Sequence, residues 1–284
     1  MKKTTVKTRR REEKNGSRGH RPCWNSFFAF LRFFVPSWFI LFDPSIALAQ
    51  GARKPAPLSE AQRYEACMTM TRRDPATAFD QALTWQDQNG GSPARHCAAV
   101  ALIGLKQYKP AAERLEKLAQ EMKNPEDEAV RVGILAQAGQ AWLLAGDTSR
   151  AHAVQSAALK LAPQDPELWI DRGQTLATAK NYRDAALDFD QAIKIDAGRA
   201  DAFLFRASAR RFLEDLAGAR RDIDAALRLK PTDPDALVER GSIRRLSNDD
   251  AGAREDWMTV IKTHPDSPAA ATANANLEKM DVKQ

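Results

Sequence analysis

Residues that could carry covalent or metal chemistry are few in this sequence and widely spaced. There are three cysteines and four histidines, and their spacing does not match that of zinc ligands. No serine, histidine and carboxylate form a recognisable nucleophile motif, and the glycines do not form a phosphate-binding loop. We therefore expect no catalytic residue, no metal site and no cofactor, and a function that depends on binding.

The basic character of the chain belongs to its N-terminal segment. The formal net charge is +6 over 284 residues. Residues 1–49 contain ten Lys and Arg residues against three Asp and Glu residues, so the remainder of the chain is nearly neutral. A nucleic-acid-binding domain needs a basic face on its folded part. We therefore expect no nucleic-acid partner.

The first 49 residues have the three regions of a secretory signal peptide. Basic residues precede an apolar stretch, Phe27–Phe42, and a small-x-small cleavage site ends at Ala49. We predict cleavage after Ala49 and export to the periplasm. The alternative is an uncleaved inner-membrane anchor facing the periplasm, although a spanning helix needs about 20 apolar residues. Residues 50–58 contain two prolines and one glycine and are predicted to form a linker.

The rest of the chain repeats with a period of 34 residues. Rows that begin at residues 132, 166, 200 and 234 align without a gap. A large apolar residue recurs in the fourth column and a small residue in the eighth. This pattern is typical of paired helices: the small residue lets the two helices of a pair approach closely, and the large side chain fills the gap to the next pair. The eighth column consists of Gly139, Gly173, Ala207 and Gly241.

This pattern resembles the tetratricopeptide repeat, whose period is 34 and whose signature is W-x2-L-G-x2-Y followed by A, F, A and P. The matching residues in one row are Trp169, Gly173, Tyr182, Ala185, Phe189 and Ala192. The resemblance covers rows 92–125, 132–165, 166–199, 200–233 and 234–267, with residues 126–131 inserted. Residues 59–91 are predicted to be a degenerate first repeat, and residues 268–284 a capping helix and tail. The resemblance implies an all-α, right-handed superhelical solenoid of helix pairs.

Arginine and aspartate recur together in two further columns of the repeat. Arg172, Arg206 and Arg240 occupy the seventh column, and Asp188, Asp222 and Asp256 occupy the twenty-third. Because each lies about eight residues from the break between two antiparallel helices, the two side chains of a row should lie at the same level. We predict a bidentate ion pair within each of these three repeats. The alternative is that all six side chains are solvated.

Two cysteines outside the N-terminal segment, Cys67 and Cys97, are predicted to form a disulfide. They lie in the first helices of successive repeats, which are neighbours in the implied fold, and exported proteins retain disulfides. The alternative is a pair of buried thiols that pack as small apolar side chains.

In tetratricopeptide proteins the first helix of each pair lines a concave groove. The family's carboxylate clamp, with Lys or Arg in the fifth column and Asn in the ninth, is absent from this sequence. The candidate groove residues are instead Ile170, Gln174, Leu204, Ser208, Arg211, Val238, Ser242 and Arg245. Arg211 and Arg245 share a column and are predicted to form a free cationic strip, which suits a peptide with an apolar anchor and a carboxylate. The alternative is that these residues only cover the solenoid interior.

The combined interpretation is a non-enzymatic scaffold of the cell envelope that binds a peptide or helix of another protein in its concave groove. Two alternatives remain open at this point. One is a structural module that self-assembles into dimers, and the other is an assembly factor anchored in the inner membrane.

Overall fold

The computed structural model describes residues 58–282, and within them the chain forms thirteen α-helices and no strand. The helices are α1 Glu60–Arg73, α2 Pro75–Asp87, α3 Gly91–Gly104, α4 Tyr108–Glu121, α5 Glu128–Leu144, α6 Thr148–Leu161, α7 Pro166–Thr178, α8 Tyr182–Ile195, α9 Ala200–Phe212, α10 Leu216–Leu229, α11 Pro234–Leu246, α12 Asp250–Thr263 and α13 Pro268–Asp281. None of these helices is long and apolar enough to cross a bilayer. The predicted signal peptide, and the linker up to residue 57, lie outside the described residues.

Consecutive helices form six pairs, from α1–α2 to α11–α12, and each pair packs against the next. The two helices of a pair are joined by a tight turn and pack along each other, so they are antiparallel. The last helix, α13, packs against α11 and α12 and closes the end of the core. Its buried residues are Ala269, Ala270, Ala273, Leu277 and Met280. Residues 58–282 therefore form a tetratricopeptide-type superhelical solenoid with a C-terminal capping helix.

The small eighth column sets how closely the two helices of a pair approach. A Cβ atom added at Gly173 would lie 2.5 Å from Cε1 of Phe189, which is far inside van der Waals contact. In the next row the eighth residue is Ala207, and the residue that occupies the position of Phe189 is the smaller Ile223, which is fully buried. The size of the residue on one helix therefore compensates for the size of the residue facing it, as close packing requires.

The turn inside each pair is specified by two successive columns of the repeat. The fifteenth column adopts the left-handed backbone conformation in five rows, at Lys106, Gly146, Lys180, Glu214 and Asn248. The next residue caps the second helix in four rows, because its side chain accepts a hydrogen bond from a backbone N–H in the first turn. These caps are Asp147, Asn181, Asp215 and Asp249.

Two glycines, one in the left-handed column and one inside a helix, give stability predictions of opposite sign. Gly146 has a φ of +82°, and no atom lies within 4 Å of an added Cβ, so Gly146→Ala should cost about 1 kcal/mol through backbone strain alone. Gly133 has equally open surroundings but lies inside α5, so Gly133→Ala should stabilise by about 1 kcal/mol. Urea unfolding of both variants measures the difference. Two changes of the same sign would contradict this account of the turn.

Four of the six inserted residues lengthen a helix, and the other two lie in the turn that precedes it. Residues Pro125–Asp127 form one 3₁₀ turn, and α5 begins at Glu128, four residues before the row predicted to start at residue 132. Helix α5 therefore has 17 residues, whereas the other twelve helices have 13 or 14. The first helices of the six pairs, α1, α3, α5, α7, α9 and α11, form one face of the solenoid, and the additional first turn of α5 extends this face.

Candidate functional site

The three predicted arginine–aspartate pairs form inside their repeats, and each is bidentate. In each pair the arginine donates one hydrogen bond from Nε and one from Nη2 to the two carboxylate oxygens of the aspartate. The Nε and Nη2 distances are 2.8 and 2.8 Å for Arg172 and Asp188. They are 2.9 and 2.7 Å for Arg206 and Asp222, and 3.0 and 2.6 Å for Arg240 and Asp256. All three aspartates are buried. The hydrogen bonds that Arg172 donates to Asp188 raise the pKa of Arg172, as expected for a guanidinium held by a carboxylate. These residues stabilise the repeats and are not available to a ligand.

Two arginines that the sequence interpretation missed supply a second cation to two of these aspartates. Arg210 Nη1 donates to Asp222 Oδ2 at 2.7 Å. Arg244 Nη1 lies 2.9 Å from Asp256 Oδ2. Both arginines stand in the eleventh column, one helical turn after the seventh, so the alignment of the rows contained the signal.

A disulfide joins Cys67 of α1 to Cys97 of α3, with a Cα–Cα distance of 6.2 Å that lies in the usual range. Both cysteines are buried in a cluster with Ala82, Trp85 and Ala94. The disulfide therefore ties together the first helices of the first two pairs.

One predicted groove residue does not line the groove. Ile170 is 1% exposed and packs with Phe189, Ala202 and Phe205 between neighbouring pairs. The prediction for Ile170 is therefore wrong, because the following pair covers this position of α7. Five other predicted groove residues are half-buried on the first helices, namely Gln174, Leu204, Ser208, Val238 and Ser242. They occupy the same face of the solenoid.

The predicted cationic strip is also wrong, because both arginines already have carboxylate partners. Arg211 donates from Nε to Glu239 Oε1 at 2.6 Å and from Nη2 to Glu239 Oε2 at 3.2 Å. Arg245 donates from Nη1 to Asp250 Oδ1 at 2.7 Å. Glu239 lies on the first helix of the next pair, where it neutralises Arg211. This face of the first helices therefore does not offer two free cations to an acidic peptide.

The same face carries exposed apolar side chains in the thirteenth column of three rows, whereas row 166–199 has the polar Thr178 at this position. Leu144, Phe212 and Leu246 are 54%, 52% and 54% exposed at the ends of α5, α9 and α11. The ring of Phe212 stacks on Tyr182 with centroids 4.5 Å apart, which fixes its orientation. Beside it lies a hollow of about 490 Å³, whose lining includes Gln174, Phe205, Ser208 and Phe212. We call this the central hollow.

A second hollow of about 600 Å³ lies on the first helices α1, α3 and α5, and we call it the N-terminal hollow. Its apolar lining includes Ala61, Pro93, Met122, Val130 and Ile134. Its polar lining includes a hydrogen-bonded chain in which Tyr64 Oη lies 2.7 Å from His96 Nδ1 and His96 Nε2 lies 2.9 Å from Gln137 Oε1. Burial lowers the pKa of His96, and the bond to Gln137 opposes this only in part. The imidazole is therefore neutral at neutral pH.

The sequence itself places this fold in a known family. Residues 128–201 and 206–271 match the family model of the tetratricopeptide repeat. The chain is a tetratricopeptide repeat protein. Tetratricopeptide repeat proteins generally mediate protein–protein interactions through the concave surface that their repeats create, and they are generally not enzymes.

Solved structures of other tetratricopeptide proteins share the fold. PilF of Pseudomonas aeruginosa aligns with a TM-score of 0.57 and 15% identity, over 76% of this chain and 99% of that one. Residues 41 to the end of MamA from Desulfovibrio magneticus RS-1 align with a TM-score of 0.54 and 20% identity, over 62% of this chain and 97% of that one. At these identities the likeness concerns the fold alone. The sequence matches no curated protein significantly.

Within residues 58–282 of this tetratricopeptide protein, no three His, Cys, Asp or Glu side chains are grouped as metal ligands would be. The two hollows and the exposed apolar residues of the thirteenth column are the apolar features described above on the first-helix face. Sequence analysis missed the N-terminal hollow because its walls come from three separate rows. The irregular length of the row that precedes residue 132 was the available signal.

One buried carboxylate of the tetratricopeptide solenoid gives a pH-dependent prediction. Burial raises the pKa of Asp171 to about 6, although Gln140 Nε2 donates to its Oδ1. The folded state therefore holds this proton more tightly than the unfolded chain, whose aspartate pKa is about 3.9. The protonated Asp171 side chain therefore contributes to the stability of the folded protein. This contribution is fully present below pH 4 and is lost as the pH rises to about 6.

We expect Asp171→Asn to stabilise the protein at pH 7.5 by about 2 kcal/mol and to change its stability little at pH 4. Urea unfolding of the wild type and the variant across this range measures the effect, because the difference between the two curves removes the contribution of all other groups. A difference that does not vary with pH would contradict the raised pKa.

Proposed function

We propose that this tetratricopeptide repeat protein is a non-enzymatic scaffold that binds a peptide segment or a helix of another protein in the concave groove. One observation carries the proposal: large apolar side chains are exposed in register along the first helices, beside two hollows of the same face. Isolated exposed apolar residues are common on proteins, but Phe212 and Leu246 recur at one position of successive repeats and form a shared apolar edge, with Leu144 at the same position two repeats before Phe212. Helical and extended peptides bind such surfaces through apolar anchors.

The test compares two similarly exposed apolar residues, one on the first helix of a pair and one on the second helix of a pair. Phe212 lies on a first helix and is 52% exposed, whereas Leu187 lies on a second helix and is 58% exposed. Phe212→Asp should reduce the amount of partner that the immobilised protein captures from an envelope extract, and Leu187→Asp should leave it unchanged. Circular dichroism checks that both variants stay folded. Equal capture by the two variants would move the binding surface away from the groove.

We further propose that the protein acts in the cell envelope after export. The signal-like segment that ends at Ala49 supports this location, and so does the Cys67–Cys97 disulfide, because disulfides persist in oxidising compartments. The N-terminal sequence of the protein recovered from the envelope fraction should begin at Gln50. A chain that begins at Met1 in the membrane would instead favour the anchored assembly factor. The same chain in the soluble cytoplasm would refute export.

A further inference from the structure

The N-terminal hollow exists because the repeat departs from its period at one place. The additional first turn of α5 brings Ala129 and Val130 to a position where they face α1 and α3 across the hollow. Val130 is 55% exposed beside this hollow, so its side chain is accessible to a partner. The inserted residues therefore build an apolar wall that the regular repeat does not provide.

Three polar side chains in the interior of this hollow, Tyr64, His96 and Gln137, are already bonded to one another. With Nε2 of His96 donating to Gln137, Nδ1 accepts the proton of the Tyr64 hydroxyl, and both ring nitrogens have a partner. A polar guest would therefore gain no partner from the imidazole, whereas an apolar side chain that packs against Pro93, Val130 and Ile134 gains free energy by burial. The interior of the hollow thus selects an apolar side chain.

The carboxylates at the edge of the hollow favour a positively charged group on the ligand. Glu60 and Asp127 line it, two further carboxylates, Glu126 and Glu128, adjoin Asp127, and no lysine or arginine is among the described residues of the lining. Asp127 accepts one hydrogen bond, from Asn124, and keeps free acceptor sites. Glu60 accepts a bond from Trp85 and lies 3.7 Å from Arg63, so Asp127 is the less neutralised of the two carboxylates. A cation next to the apolar anchor would meet these carboxylates.

We propose that the N-terminal hollow binds the apolar side chain of a partner peptide that carries Lys or Arg within two positions of that side chain. This proposal rests on the proposed function and specifies the chemistry of the partner. It reverses the acidic partner that the sequence suggested, because the arginines on which that suggestion depended are paired with Glu239 and Asp250.

The test begins with random peptides displayed on phage and selected against the purified protein. Enriched sequences should contain an aliphatic or aromatic residue close to Lys or Arg. Synthetic peptides of these sequences are then titrated by fluorescence anisotropy against Val130→Asp, with Leu187→Asp as the matched control. Val130→Asp should weaken binding about tenfold, because a charge enters the apolar wall. An aspartate in the first turn of a helix is itself favourable, so this variant should stay folded.

A second pair of variants isolates the charge. Asp127→Asn should weaken a Lys-containing peptide about threefold and leave the same peptide with Gln in place of Lys unaffected, whereas Glu278→Lys on α13 should affect neither. Enrichment of acidic peptides, or peptides that bind Val130→Asp as well as the wild type, would overturn this inference but leave groove binding intact. A dimer that Val130→Asp dissociates would make a second copy the occupant and would also overturn it. Failure to enrich any peptide would overturn both this inference and the proposed function.

Discussion

Replacing Arg172 by alanine should lower the free energy of unfolding by about 3 kcal/mol, the largest effect of any substitution among the three ion pairs. The reason is that Asp188 is buried and has Arg172 as its one cationic partner in the described part of the chain. Asp222 differs, because it keeps Arg210 when Arg206 is removed. We therefore expect Arg206→Ala to cost less than Arg172→Ala, although both rows have the same arginine and aspartate in the seventh and twenty-third columns. Urea unfolding followed by circular dichroism measures both.

The double variant Arg172→Ala with Asp188→Ala separates a stranded charge from lost packing. If the penalty comes from the unpaired carboxylate, the double variant should be more stable than Arg172→Ala alone. Arg172 also lies over the ring of Trp169 at 5.0 Å, and that contact is lost in both variants. A double variant that is less stable than Arg172→Ala would show that packing, and not the buried charge, dominates.

Removing the disulfide should have an effect of similar size. Cys67→Ala together with Cys97→Ala should lower the free energy of unfolding by about 3–4 kcal/mol, because the bond closes a loop of 30 residues in the unfolded chain. The loss should be concentrated in α1–α3, since contacts in a solenoid connect only neighbouring repeats. Unfolding of the wild type with and without reductant, followed by the fluorescence of Trp85, measures it.

The double cysteine variant is its own control, because reductant should not change its stability. Thiol counting on the denatured, unreduced protein provides a second measurement. The account predicts that Cys67 and Cys97 give no free thiol in protein recovered from the envelope. Two free thiols there would contradict the disulfide.

The features that sequence analysis predicted correctly are those that repeat. The close approach at Gly173 and the pairing of Arg172 with Asp188 lie inside one row, so columns of the alignment determine them. Helix caps likewise depend on local sequence: Asp165, Asp233 and Ser267 each accept a backbone hydrogen bond at the start of α7, α11 and α13.

The features that it predicted wrongly depend on how one repeat sits on the next. Arg211 of α9 forms its ion pair with Glu239 of α11, and Ile170 is covered by the following helix pair. Both contacts join different repeats, so the columns of a single row do not predict them. The alignment located the insertion before residue 132, but the period does not say whether inserted residues form a loop or lengthen a helix. Three-dimensional packing decides that question, and with it the existence of the N-terminal hollow.

The central claim is that the first helices form the binding face. Hydroxyl-radical footprinting of the protein, alone and with a captured partner or selected peptide, tests it directly, because exposed apolar side chains lie on both kinds of helix. The account predicts reduced labelling of Val130 or Phe212 on the first helices when the partner is bound. Leu187 and Met258 on the second helices, which are 58% and 53% exposed, should keep their labelling. Protection of Leu187 and Met258, with Val130 and Phe212 unchanged, would contradict the claim.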